Sequence, residues 1–188
     1  MISESMQQCL ADTRELVDAW GVPFAVIGGL CALLRGEPRF TADIDLVIAA
    51  EPDAALHLLD AARHSPFQPL LEDAAEFARQ AYLLPLHHAR TGITVDVSFG
   101  ATGFEQQLIE RAELESLGNV RLPVATAEDL ILLKLIAGRP RDVEDVNGVV
   151  LRHAGTLDWD YMLTTGAGLQ AALSQDIIPH LERLRTEL

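Results

Sequence analysis

The chain is short of basic residues, poor in cysteine and without a long apolar run, and each shortage removes a class of protein. Its 14 lysines and arginines stand against 28 aspartates and glutamates, a formal net charge of −14. That charge opposes unassisted approach to nucleic acid, so an extended nucleic-acid footprint is not expected. A cationic small molecule or a basic partner protein would be attracted instead. The basic clusters are Arg35/Arg39 and Lys134/Arg139/Arg141, which leaves room for a compact polyphosphate pocket. Cys9 and Cys31 are too isolated for a disulfide framework or a zinc knuckle and read as small buried apolar residues. The longest apolar run, Val22 to Leu34, holds two glycines and stops at Arg35. It falls short of the ~20 apolar residues that a membrane helix needs. The start, Met1-Ile2-Ser3-Glu4-Ser5, lacks the basic-then-apolar form of a signal peptide. A soluble cytoplasmic protein is expected. Neither Gly-x-Gly-x-x-Gly nor Gly-Lys-Ser/Thr occurs, so the dinucleotide fingerprint and the P-loop are excluded.

What is present is enough for a full core: 188 residues, 49% of them hydrophobic. Apolar spacing predicts a helix over Ser3 to Trp20, ended by Gly21, and a buried strand over Pro23 to Ile27. A short helix should follow from Gly29, then a strand over Ala42 to Ala49 and a helix over Asp53 to Arg63. Tyr82 to His88 and Ile93 to Phe99 flank Ala89-Arg90-Thr91-Gly92 and read as a hairpin with glycine at the positive-φ position. Phe104 to Leu114 is expected to be helical, Val120 to Val124 extended, and everything from Thr126 onward helical. Pro66 to Glu76 has no clear pattern. The expected fold is an α+β core over 1–125 carrying a helical subdomain over 126–188 packed on it.

The chemistry-bearing residues lie close together in the chain. Ile27-Gly28-Gly29 is followed, after thirteen residues, by Asp43-Ile44-Asp45-Leu46. Alternation on a strand points Asp43 and Asp45 the same way, and two like charges in an apolar run call for a cation or a shared proton. Asp96, in Ile93-Thr94-Val95-Asp96-Val97, is a third acid on a second strand. Two carboxylates on one face suit Mg²⁺ with phosphate oxygens and water completing the shell. Asp96 would add a second metal or act as general base. The bland alternative is a solvated strand end, or acids paired with Arg39. Gly28 and Gly29 suit either a ligand-free turn or a phosphate cradle at a helix N-terminus. Arg39 braces a phosphate or neutralises the acids, and Thr41 orients a ligand or caps backbone.

Farther along, Thr126-Ala127-Glu128-Asp129 forms a helix-capping sequence ahead of an apolar helix with Lys134 in its middle. A buried ammonium needs an anion, either Asp142 or Asp145 or the phosphates of a nucleotide. Asp142 and Asp145 also fit the helix N-terminus that Pro140 opens. The His87-His88 pair points to opposite sheet faces and makes no joint metal site.

These residues resemble the nucleotidyltransferase superfamily, whose signature is Gly-Gly or Gly-Ser, a spacer and Asp-x-Asp among apolar residues. Arg39-Phe40-Thr41-Ala42-Asp43-Ile44-Asp45 looks like its Arg-x-Thr-x-Asp-x-Asp version. Glu128-Asp129-Leu130, Lys134-Leu135 and Arg139-Pro140-Arg141-Asp142 with Asp145 are similar to the C-terminal part of AbiEii/AbiGii-type toxins. The resemblance implies a small mixed, polymerase-β-like sheet with helices on one face. It also implies Mg²⁺ and transfer of a nucleoside monophosphate from an NTP to an acceptor hydroxyl. Asp43, Asp45 and Asp96 would be the catalytic and metal-binding acids. Gly28, Gly29, Arg39, Thr41, Lys134 and Asp142 would face the nucleotide. The acceptor is left open among a partner protein or tRNA in a toxin–antitoxin setting and a cationic antibiotic of aminoglycoside or lincosamide type. A non-catalytic NTP-binding module of the same fold is the competing class.

Overall fold

A computed structural model describes residues 2–36, 40–100 and 102–187. The chain divides into two compact units, one of residues 1–30 and 41–125, the other of 31–40 and 126–188.

The first unit is built on a seven-stranded mixed sheet. In chain order its elements begin with α1 (Glu4–Trp20), β1 (Phe24–Ile27), the first turn of α2 (Gly28–Arg35) and β2 (Asp43–Ile48). A 3₁₀ turn (Pro52–Ala54), α3 (Ala55–Ala62), β3 (Phe67–Pro69) and α4 (Ala74–Ala81) follow. Then come β4 (Leu83–His88), β5 (Thr94–Phe99), α5 (Gly103–Arg111), β6 (Glu113–Leu117) and β7 (Val120–Val124). The strands lie in the order β3-β4-β5-β2-β1-β7-β6. β2 pairs in parallel with β5, and β1 with β7, while the remaining neighbours are antiparallel.

Period-two alternation makes the two faces of this sheet different. Ile44, Leu46 and Ile48 on β2, Val95, Val97 and Phe99 on β5, and Leu84 and Leu86 on β4 are buried. Each such side chain contributes about 1.5–3 kcal/mol on burial, so this face fixes the register of the central strands. α1 covers it. Ser3 caps α1 by accepting from Met6 N–H, and Gly21 ends it at φ 67°. Along α1, Met6, Leu10, Leu16, Val17 and Trp20 are buried, and the Trp20 indole N–H donates to the Leu58 carbonyl at 3.0 Å. Cys9 and Cys31 are buried thiols outside any disulfide, pushed up by burial to about 11 and about 12.

Among the described residues of β2, β4 and β5, the polar side chain buried completely on this face is the imidazole of His88. One ring nitrogen lies 2.8 Å from Asp12 Oδ2 of α1 and the other 2.6 Å from the Thr91 hydroxyl. Arg90 and Gln8 also donate to Asp12. His87 and His88 do point to opposite faces, as strand alternation requires.

Two stretches depart from expectation. α5 stops at Arg111, and Glu113–Leu117 is a strand paired with β7 across the Gly118 turn, φ 65°. Pairing with β7 offsets the helical preference of Glu113, Leu114 and Glu115, and the two glutamates suit an exposed sheet edge. The patternless stretch after Pro66 contains the three-residue strand β3 and runs into α4.

The second unit is helical: the remainder of α2, then α6 (Ala127–Ala137), α7 (Pro140–His153), α8 (Trp159–Leu173) and α9 (Ile177–Thr186). α6 is capped by Thr126, which accepts from Asp129 N–H, and ends at Gly138 with φ 60°. α6 packs against α7, α8 and α9. Among the described residues no helix is long and apolar enough to cross a membrane.

Candidate functional site

The candidate acids Asp43, Asp45 and Asp96 lie on the sheet face opposite the core. β2 and β5 are parallel neighbours in a register that sets Asp45 beside Asp96 and Asp43 beside Thr94. Paired residues of adjacent strands project to the same side, with strands about 4.8 Å apart. The three carboxylates therefore share one face, as the spacing predicted for Asp43 and Asp45. Asp43 is exposed, while Asp45 and Asp96 are half-buried.

Local structure is built around Asp45. β1 runs antiparallel to β2 with Ile27 opposite Asp45, so the chain turns into α2 beside the carboxylate. Gly28 takes φ +61°, and a β-carbon there would sit 1.9 Å from Asp45 Oδ2. Glycine is required both for the left-handed backbone and for the space the carboxylate fills. The Gly29 amide, in the first turn of α2, donates to Asp45 Oδ2 at 3.2 Å. A helix N-terminus favours an anion, so this bond fixes the carboxylate's aim. Gly28 and Gly29 thus shape and aim Asp45, besides the two readings left open for them, a ligand-free turn or a phosphate cradle. The Thr41 hydroxyl donates to Asp43 Oδ1 at 2.7 Å and holds that acid in the same way. Arg39, expected beside the acids, lies outside the described residues.

Among the described residues no hydrogen-bond donor reaches the Asp96 carboxylate. Burial raises its carboxyl pKa above the usual carboxylate range, and the charge of Asp43 raises it further. A half-buried acid pressed toward its neutral form by a like charge is a place where a cation or a transferable proton is favoured. The donor set suits a hard divalent ion such as Mg²⁺, which takes one or two carboxylates and completes its shell from phosphate and water. Among the described residues no three acids, imidazoles or thiols close into a preformed metal cage. The register thus sets the three acids on one face, where their oxygens would serve Mg²⁺ as partial ligands.

Lys134 and Asp142 belong to the helical unit and engage each other. The Lys134 ammonium, buried in α6, lies 2.7 Å from Asp142 Oδ1 and 2.7 Å from Asp145 Oδ2 of α7. Arg139 donates to Asp142 Oδ2 at 2.7 Å. Burial pushes the Asp142 carboxyl up, but Arg139 and Lys134 together hold it below the ordinary range. Of the two anions weighed for Lys134, the structure supplies the aspartates. A phosphate is not needed to compensate its burial. Nearby, Asp129 accepts from the Thr126 hydroxyl at 2.8 Å and from the Tyr161 hydroxyl.

A family model described as nucleotidyl transferase AbiEii toxin, Type IV TA system, matches residues 14–154. Among solved structures, the antibiotic-resistance factor ANT(2'')-Ia superposes with a TM-score of 0.54 at 14% identity, covering 89% of this chain and 96% of that one. ANT(2'')-Ia in complex with adenylyl-2''-tobramycin gives 0.52 at 13% identity, with 96% of each chain covered. An antigenic nucleotidyltransferase-like protein from Paracoccidioides brasiliensis gives 0.58 at 15% identity, covering 98% of this chain and 93% of that one. At these identities the likeness is one of fold. No curated protein sequence matches the chain.

Proposed function

Because the chain belongs to the AbiEii family of nucleotidyl transferase toxins, we propose that it moves a nucleoside monophosphate from an NTP to an acceptor hydroxyl with Mg²⁺ bound at Asp43 and Asp45. The observation that carries this reading is the register of Asp45 with Asp96 on parallel strands, with Gly28 and Gly29 shaped to Asp45. Bound Mg²⁺ would supply charge neutralisation for the triphosphate.

The chain's own groups do the rest. Asp45 is aimed by the Gly29 amide and Asp43 by the Thr41 hydroxyl, so neither needs to reorganise when substrate arrives. Asp96, with its raised pKa, takes the proton of the acceptor hydroxyl as the acceptor oxygen bonds to the α-phosphorus. The bond from that phosphorus to pyrophosphate breaks, and pyrophosphate leaves. In this reading Lys134 and Asp142 hold α6 to α7 rather than touching the nucleotide.

A second acceptor class has an observation in its favour. ANT(2'')-Ia shares the fold, one of its structures holds adenylyl-2''-tobramycin, and this chain's net charge of −14 would attract a polycation. A protein or tRNA acceptor in a toxin–antitoxin setting remains the family-based alternative. The deciding experiment incubates wild type and Asp45→Asn with each α-labelled NTP and a cell extract. Transfer of label by wild type and its loss in a folded Asp45→Asn support the reading. Undiminished transfer by the variant contradicts it.

A further inference from the structure

The face that carries the three acids does not end at β5. Two rows of side chains cross it at adjacent registers. The first runs Asp43, Thr94, His87, Gln68 over β2, β5, β4 and β3. The second runs Asp45, Asp96, Pro85, and is extended by Leu70, whose amide donates to the Pro85 carbonyl at 3.1 Å. One row is polar throughout; the other passes from charged to apolar. His87 is the diagonal neighbour of Asp96 across the β4–β5 pair, at roughly 7 Å by sheet geometry.

The contrast with the opposite face is chemical. There, His88 has both ring nitrogens engaged. His87, one residue earlier and half-buried, makes no side-chain hydrogen bond to any described residue, nor do Thr94 and Gln68. Donors and acceptors are thus presented outward, in line with the proposed base. No lysine or arginine stands in either row, and Arg90 in the hairpin turn spends a guanidinium nitrogen on Asp12 of the other face. Among the described residues these two rows offer a polyanion no counter-charge. A sugar-like ring has hydroxyls for the polar row, a carbon face for Pro85 and Leu70, and, if amino-substituted, positive charge for the acids.

Resting on the nucleotidyltransferase reading, we propose that this face from Asp96 across β4 is the acceptor side of the site. It takes a small polyhydroxylated cation, and His87 positions the reacting hydroxyl beside Asp96.

The test uses the full chain labelled with ¹⁵N. Mg²⁺ with a non-hydrolysable ATP analogue is added first, then tobramycin, and in a separate sample a single-stranded RNA oligonucleotide. Tobramycin should move the backbone amides of Gln68, His87 and Thr94 and saturate. His87→Leu should weaken its affinity roughly tenfold, the worth of one hydrogen bond to a charged or polar ligand. His87→Asn, which keeps a polar atom at the same reach, should recover most of it. RNA should leave β4 unmoved. Tobramycin shifts confined to other surfaces, equal affinity in His87→Leu, or RNA shifts on β4 would each overturn the proposal. Absence of any analogue-induced shift at Gly29, Asp45 and Asp96 would overturn the nucleotidyltransferase reading itself. Analogue shifts with β4 silent to tobramycin overturn only the acceptor assignment.

Discussion

Asp12 and Asp96 serve opposite faces of the same sheet, and their surroundings differ in kind. Asp12 meets His88, Arg90 and Gln8, so every contact offsets its charge. Asp96 meets burial and the charge of Asp43, both of which work against ionisation. The first arrangement ties α1 to the end of β4 and needs nothing further. The second works against the folded state, and the proposed role of Asp96 as base gives a reason for keeping it. Lys134 with Asp142 and Asp145 in the helical unit repeats the first pattern. Under the proposed function, compensation more than burial separates structural charges from those that meet a ligand.

The comparison should be sharpest at Asp45. Asp45→Asn keeps an oxygen for the Gly29 amide but removes the charge, and transfer of label should fall by about 100-fold or more while thermal stability holds. Lys134→Met reverses the pattern. It removes the buried cation that Asp142 and Asp145 share, leaving Asp142 to Arg139, and should cost about 3–5 kcal/mol in urea unfolding, since breaking a buried pair leaves charge undercompensated. Asp12→Ala should cost about 1–3 kcal/mol by leaving the His88 ring nitrogen unsatisfied, with transfer per folded molecule retained. If Asp12→Ala instead removed activity and left stability alone, the division between the two faces would break. Gly28→Ala tests both sides at once. Its β-carbon displaces the Asp45 carboxylate, so activity should drop by more than the loss in folded fraction explains. The smallest effect is electrostatic. In metal-free protein, Asp43→Asn should lower the pKa of Asp96, read from its side-chain carboxyl resonance, because one of its two raising causes is removed.

The sequence carried the site's address well and its wiring poorly. Glycine pair, spacer and paired aspartates are local patterns, and alternation on β2 places Asp43 and Asp45 on one face without knowledge of the fold. Alternation likewise separates His87 from His88. Which strand stands beside β2 is a long-range fact, so the match of Asp45 with Asp96 became visible only in the parallel β2–β5 pairing. β6 was hidden for the same reason: its residues favour a helix until β7 offers a partner. The service of Gly28 to Asp45 had no signal beyond the glycine itself, because the space it leaves depends on β1 and β2 lying side by side. The lone lysine announced a need for an anion, while its two aspartates were set by the crossing of α6 and α7.

Equilibrium urea unfolding of metal-free Asp96→Asn against wild type, at pH 7 and again below the ordinary aspartate range, tests the central claim most directly. A carboxyl whose pKa is raised by folding favours the folded state when protonated and penalises it once ionised, as pH rises through the raised value. The account predicts that the variant is at least as stable as wild type at pH 7, and that its advantage disappears in acid where both states of the wild-type group are neutral. A variant less stable than wild type at pH 7, by an amount like that for Asp12→Ala, would contradict it.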